Sequence, residues 1–280
     1  MRVCFLLARR VPPVPSPLLV EVEDRLRRRD VDVAGGIVEE LLTRPELLSP
    51  GYDLYVLKSH TELALSLAGI LHDQGARFLN PYGSCVATQD KLVAARRLAA
   101  AGVPVPSSWT TGDLRLVEPL LARGPLVIKP HRGHRGASVH VVHDAGQLAA
   151  LPAPSAPVIV QDYVPGPGED LKVYVVGEEV FAVRKPFGPD SFTRPGRPCR
   201  VSREVRDIAR RAGAALGLGL YGLDLIEGPH GPVVVDANYF PGYKGVPGAA
   251  PCIADYIERF ARGKITLETP DLPQVLVGAG

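Results

Sequence analysis

This sequence has no surplus of charge of either sign. Its 32 Lys and Arg face 30 Asp and Glu, leaving +2 at neutral pH, so no global field draws the chain to nucleic acid or to an anionic membrane. Recognition of anions has to be local. Cysteine is sparse: Cys4, Cys85, Cys199 and Cys252 stand far apart and none forms a Cys-x-x-Cys pair. That spacing argues against a disulfide framework and against a zinc site, and it fits a reducing cytoplasm. No apolar stretch approaches the roughly 20 residues that span a bilayer. The opening run Met1 to Leu7 is short and is broken at Arg9 and Arg10, so it reads as a first buried strand and not as a signal segment. Internal repeats are absent, and low complexity is confined to the Ala- and Pro-rich stretch Leu148 to Pro157. The expectation is a soluble cytoplasmic protein that engages neither nucleic acid nor membrane, with a homodimer left open.

Hydrophobic residues make up 46% of the chain and charged residues 22%, the balance of an ordinary globular protein. The 280 residues exceed what one core organises comfortably, which predicts two or three packed lobes. From residue 1 to about 85, Val3 to Leu7, Leu54 to Leu57 and Arg77 to Leu79 read as strands. Leu18 to Arg28 and Glu62 to His72 carry helical spacing between them. That rhythm predicts a parallel βαβ domain. A helix over Gln89 to Ala101 ends at Gly102, and Val103-Pro104-Val105-Pro106 then forces extended chain. A central α+β lobe follows over 86–164, with strands at Leu126 to Lys129, Ser138 to Val142 and Val158 to Tyr163. Beyond Pro165-Gly166-Pro167-Gly168, the third lobe (165–264) opens with a hairpin, Leu171 to Val176 and Glu179 to Arg184, turning at Gly177. A helix at Arg203 to Leu216, strands at Tyr221 to Ile226 and Val233 to Asp236, and a helix near Ile253 to Arg262 complete it. The tail, 265–280, reads as irregular.

The strongest chemical signal lies in the third lobe. Asp224 sits inside an apolar strand, and Asp236 and Asn238 bracket Ala237 at the end of another. Two neighbouring strands would aim these three oxygen-bearing side chains the same way. Either aspartate alone would pass for a turn cap, but a trio of half-buried oxygen donors asks for a cation, and magnesium held by one or two carboxylates plus phosphates suits it. A second signal is Lys129-Pro130 followed by Gly133 and Gly136. A glycine-bearing loop lets backbone N–H groups approach phosphate while a lysine at the strand end supplies charge, although a hairpin with a basic tip would look the same. It is neither a Walker A loop nor a dinucleotide fingerprint. Third, Gln161, Asp162, Tyr163 and Val164 close a strand just before a Pro/Gly linker, where backbone groups can face an adenine edge. His131 and His134 flank the glycine loop, where loop solubility accounts for them; His60 follows a strand end at Lys58-Ser59 in the first lobe, where either an acceptor substrate docks or the residue serves a turn or helix cap.

Taken in this order, the signals resemble the ATP-grasp superfamily over about Asn80 to Arg262. The resemblance implies ATP held between two α+β lobes, with Lys91 in Gln89-Asp90-Lys91 and Lys129 as the two nucleotide lysines. It implies Gln161 to Val164 as the hinge, and Asp170 among the nucleotide-binding residues. It further implies Asp224, Asp236 and Asn238 as ligands of Mg2+, or of Mn2+ in its place. Aspartate stands where many members have glutamate.

Most members of that superfamily join a carboxylate to an amine through an acyl phosphate, which makes a ligase the first expectation, acting on an anionic small molecule or peptide. The alternative comes from Leu171 to Gly177 and Asp236 to Tyr243, which look much like segments of inositol trisphosphate 5/6-kinases. A non-catalytic nucleotide sensor is a third reading. In the arginine-rich stretch Arg184 to Arg203, with Lys172 and Lys244 nearby, Arg184, Lys185 and Lys172 are the expected catalytic cations. The Arg and Asn with glycines that glutamate-adding members often carry in this region have no clear match, which speaks against glutamate as a substrate.

Overall fold

The computed structural model describes residues 1–10, 13–133, 139–186 and 195–270. The chain begins with a parallel sheet of β1 (Arg2–Leu7), β2 (Asp32–Ile37), β3 (Leu54–Leu57) and β4 (Phe78–Leu79), in the order β2-β1-β3-β4. Helices α1 (Pro17–Arg27) and α2 (Glu62–Asp73) lie along its connections. Pro17 enters α1 in the first turn, where its missing N–H costs nothing. Thr61 caps α2 by accepting from the Ala64 N–H. All four residues of β3 are buried, as expected of an inner parallel strand. Strand β2 was not expected, because Ala34-Gly35-Gly36 carries little strand propensity. Its register against β1 over six residue pairs, Arg2 with Asp32 through Leu7 with Ile37, supplies the order that propensity does not.

The helix expected over Gln89 to Ala101 starts two residues later, as α4 (Lys91–Ala100), and is preceded by a further helix that was not expected, α3 (Tyr82–Gln89). Asp90 breaks them: its backbone is extended and its carboxylate accepts from the N–H groups of Leu92 and Val93, capping α4. The stop falls at Gly102, whose φ of 66° is the left-handed conformation that glycine takes without strain.

A second sheet, antiparallel and ordered β5-β8-β6-β7, follows: β5 (Ser108–Thr111), β6 (Leu126–Pro130), β7 (His140–Val142) and β8 (Val158–Asp162), with α5 (Ala145–Ala149) packed on it. Its core is a cluster of its own, built from Val117, Leu126, Ile128, Val142, Leu148, Val158 and Val160.

The third sheet is antiparallel and ordered β11-β10-β9-β12-β13: β9 (Glu169–Val176), β10 (Glu179–Pro186), β11 (Arg197–Cys199), β12 (Leu220–Gly228) and β13 (Gly231–Tyr239). The β9–β10 turn falls at Gly177, φ 58°. Helix α6 (Arg203–Leu216) has its expected bounds, capped by Ser202 and ended by left-handed Gly217. Helix α7 (Ala249–Ala261) closes the lobe.

The first and third sheets share their cores. One cluster runs from Leu57, Leu67 and Leu71 to Val173, Leu223 and Ile208; another joins Phe5, Leu26 and Val56 to Val176, Ile253 and Ile257. Buried polar groups fasten the same junction. The Tyr239 hydroxyl donates to Ser59 O at 2.8 Å, and Arg77 reaches the carbonyls of Phe260 and Ala261 at 3.0 and 3.2 Å. Asn80, fully buried, does most: its Nδ2 donates to Leu220 O at 2.8 Å, and its Oδ1 accepts from the N–H groups of Gly219 and Leu220 at 2.8 and 2.9 Å. Asn80→Ala strips partners from three buried backbone groups and is expected to lower stability by about 3 kcal/mol. Urea unfolding should show this as a lower midpoint at unchanged slope; a loss under about 1 kcal/mol would mean that these bonds do not couple the sheets.

Candidate nucleotide and metal site

Strand alternation builds the site. In the third sheet Lys185 opposes Asp170, Lys172 opposes Asp224, and Asp224 opposes Asp236. Directly opposed residues share a face, as do residues two apart on one strand. Lys185, Asp170, Lys172, Asp224, Asp236 and Asn238 therefore share one side of the sheet, while Leu171, Val173, Leu223 and Ala237 point into the core behind it.

Charges on this face are matched pairwise. Lys172 Nζ lies 2.7 Å from Asp224 Oδ2 and 3.3 Å from Asp170 Oδ2. Lys91, the first residue of α4, places Nζ 3.0 Å from Asp236 Oδ1, and Asn238 Nδ2 donates to Asp236 Oδ2 at 3.4 Å. From the second sheet Lys129, nearly buried, donates to Val235 O at 3.0 Å. Burial works against the charge on Asp236, but the Lys91 and Lys129 ammoniums and the hydrogen bonds from Lys91 and Asn238 outweigh it, holding the carboxyl below the usual aspartate range. Burial lifts the Asp170 carboxyl, with Lys172 offsetting part of the rise. Lys172 itself is desolvated, yet Asp224 and Asp170 raise its pKa overall. For Lys129 desolvation wins, and Lys91 adds to the lowering that Asp236 opposes. Such opposed shifts within a few ångströms mark a site where charge is managed.

A cavity of about 30 Å³ lies where the lobes meet, lined by Thr88, Lys91, Val105, Lys129, Gln161 and Asp236 among others. Gln161 is buried beside it and its Nε2 donates to Ser108 Oγ at 3.1 Å. In the expected hinge, the N–H groups of Asp162 and Tyr163 already donate to Ser107 O and Pro125 O at 3.1 and 3.0 Å, while Val164 lies against Gly228 of β12. The loop after β6 is tied to α4, because the Lys91 N–H donates to His131 O at 2.9 Å. Gly133 has φ 153°, a conformation L side chains rarely adopt. Gly136 and His134 lie outside the described residues, as does much of the arginine-rich stretch, Arg194 included. His131 Nδ1 meets Pro157 O at 2.8 Å, and the His60 ring stacks on Tyr239 at 4.0 Å.

One expected catalytic group stands elsewhere. Arg184 neighbours Lys185 in β10 and so projects from the opposite face, where it is held by Glu227 and by Glu169 at 3.1 Å. A one-residue change of parity accounts for this, because adjacent residues of a strand point to opposite faces. Of the three expected catalytic cations, Lys185 and Lys172 lie on the polar face. The sequence reading also missed the placing of Lys172 between two carboxylates, although the Asp170-x-Lys172 alternation carried that signal.

A mixed α/β chain that closes two lysine-bearing lobes over paired carboxylates is the architecture of an ATP-grasp enzyme. Solved structures share that fold. The chain aligns with an ATP-grasp RimK domain protein from Sphaerobacter thermophilus with TM-score 0.74 and 20% identity, covering 92% of this chain and 100% of that one. It aligns with the D-alanine–D-alanine ligase of Bacillus anthracis, solved with ATP, with TM-score 0.69 and 16% identity, covering 94% and 99%. In sequence it is 30% identical over 216 residues to a probable alpha-L-glutamate ligase of Xanthomonas campestris pv. campestris strain 8004, covering 71% of this chain and 74% of that relative. The RimK-like ATP-grasp domain matches residues 88–250, and the chain belongs to that family. It is an ATP-dependent ligase and uses ATP with a divalent metal. Among the described residues no helix is long and apolar enough to cross a membrane.

The pairing of Lys91 with Asp236 sets a pH dependence. In the wild type the Asp236 pKa is lower folded than unfolded, so this carboxylate adds stability above the unfolded value, and the contribution fades as pH falls through the folded one. Lys91→Met removes the nearest ammonium and leaves burial to push the carboxyl upward. The variant is expected to lose about 2 kcal/mol at pH 7, and the deficit should shrink toward pH 4 as its Asp236 takes up a proton. Urea melts at both pH values check this; a deficit constant with pH would detach Lys91 from Asp236.

Proposed function

We propose that the chain phosphorylates a substrate carboxylate with ATP and Mg2+, Mn2+ able to substitute, and transfers the activated acyl group to an amine, one of the partners being an anionic small molecule or peptide. The observation that carries this reading is the cross-strand pair Asp224 and Asp236, with Asn238 beside it, on a face that two lobes close over with Lys91 and Lys129. Two carboxylates and an amide are hard oxygen donors, and their charge is already balanced by ammonium groups at 2.7 and 3.0 Å, so the donor set fits magnesium. When bound, the metal offsets negative charge on the phosphate oxygens as the phosphoryl group moves.

The chain's own residues do the positioning. Lys91 and Lys129 leave Asp236 and the Val235 carbonyl and turn to the phosphates, while Lys172 and Lys185 hold the anionic reactants together. A substrate carboxylate oxygen attacks the γ-phosphorus and the bond to the ADP oxygen breaks. The amine nitrogen then attacks the acyl carbon, phosphate departs with the broken C–O bond, and the amine proton passes to solvent. An interior of about 30 Å³ has room for a water but not for a nucleotide. Entry of ATP therefore requires the middle lobe to swing away as a lid, which its separate core permits.

Asp236→Ala and Asn238→Ala are each expected to cut turnover by roughly a thousandfold with the fold intact. Lys129→Ala should weaken ATP binding by about 1.5 to 3 kcal/mol, the worth of a charge-assisted contact. An ADP-release screen over acidic amino acids and peptides, read out by product mass, is the decisive test. Condensation products support the reading. A gain of one phosphoryl group alone would make the enzyme a kinase, and full turnover in either metal-site variant would remove the metal assignment.

A further inference from the structure

Lys58 takes no part in the reaction steps above. It follows the last residue of β3 and is half-buried, with Nζ 5.2 Å over the Phe240 ring. Among the described residues it has neither an ion-pair partner nor a side-chain hydrogen bond. A half-buried ammonium without a counter-charge is expensive to keep. Its neighbours make matters worse: burial, then repulsion from Arg10 and Lys244, pulls its pKa down to about 8. Lys244 repels Lys185 as well, while Asp224 and Asp170 attract it, so this corner adjoins the polar face of the third sheet.

The corner is also where the fold favours a ligand. In the order β2-β1-β3-β4, the chain leaves β1 for β2 on one side and returns to β3 on the other. The crevice at the carboxyl ends of β1 and β3 is thus the topological switch point, where open parallel sheets bind their ligands. Arg10 lies just past β1 and Lys58 just past β3. Lys244 comes from the segment after β13, directly beyond Asp236 and Asn238. That segment is held in an unusual backbone: Phe240 and Tyr243 are both buried and have φ of 36° and 47°, strain that persists only where packing enforces it. The Tyr243 hydroxyl donates to Val175 O at 2.7 Å and the Phe240 N–H to Leu220 O at 2.7 Å, which fixes the backbone that leads to Lys244, with Phe240 itself under the Lys58 ammonium.

We propose that Lys58, Arg10 and Lys244 form the subsite for the anionic end of the ligase's substrate, a small molecule or peptide carrying at least two carboxylate or phosphate groups. One anionic group docks at the switch point and the remainder reaches toward Asp224 and Asp236. This assignment rests on the ligase reading for the identity of the ligand, but its binding test does not need turnover.

The test is calorimetric titration of the full-length wild type and of Lys58→Met with L-glutamyl-L-glutamate, with O-phospho-L-serine and with L-alanyl-L-alanine. Each titration is run with and without magnesium and a non-hydrolysable ATP analogue. Wild type should bind an acidic probe at least about 30-fold more tightly than the alanyl dipeptide, and Lys58→Met should lose about 30-fold toward the acidic probe. Affinity for the ATP analogue should stay within about twofold, since Lys58 makes no contact with the phosphate lysines. Which acidic probe wins separates carboxylate from phosphate. Lys58→Met should melt no lower than wild type, because it discards an unmatched charge, and Lys58→Arg should restore binding; a variant that melts lower is judged on that rescue. Equal binding of the alanyl and acidic dipeptides, no binding of either acidic probe by wild type, or unchanged affinity in Lys58→Met overturns the proposal. Failure of the ATP analogue to bind wild type would instead count against the nucleotide site.

Discussion

Half-buried charge must be cancelled within a few ångströms, and the third sheet meets that demand by the period of two that every β-strand imposes. On β9, β10, β12 and β13 the alternate residues facing the core are apolar, aliphatic except for Tyr221 and Tyr239, which leaves their neighbours on the outer face. There a carboxylate on one strand finds an ammonium on the next: Asp170 and Asp224 share Lys172, and Asp236 takes Lys91 from α4. In water such pairs are worth little. Here, between two lobes, they decide which protonation states exist. The same pairing holds the Asp236 carboxyl below its usual range in spite of burial, so its charge is already met by the protein.

Much of this arrangement was legible from residue order because local rules and the fold agree. The bounds of α6 were written by Ser202 and Gly217, the β9–β10 turn by Gly177, and the lysines that converge on β13 by their place at the end of a strand and the start of a helix. What stayed hidden depended on partners distant in sequence. Strand β2, with two adjacent glycines, is extended because β1 lies beside it. Helix α3 is short and only weakly amphipathic, so the capping Asp90 that separates it from α4 read as helix interior. Strand β5 and the 3-10 turns of Leu114–Arg123 are fixed by packing on β8 and by the core around Val117. Arg184 was misplaced for a simpler reason: a strand's phase needs one residue whose face is known.

Lys58 illustrates the same limit from the other side. An apolar strand ending in lysine was the clue that drew attention to Lys129, and Leu54 to Lys58 has the same form. Sequence shows both, but only the sheet order reveals that one ends at a crevice where two connections diverge.

The cores shared by the first and third sheets have a practical consequence for anyone dividing the molecule. The recognisable family domain begins at residue 88, yet the aliphatic faces of β9 and β12 and the apolar side of α7 are covered by β1, β3, α1 and α2. Excising the domain at its family boundary would lay that surface bare and cut Asn80 away from Leu220, producing a sticky fragment. The unit that evolution labels and the unit that can be expressed are different lengths of chain, and the natural place for a cut or an inserted reporter is a loop of the middle lobe, whose interior is its own.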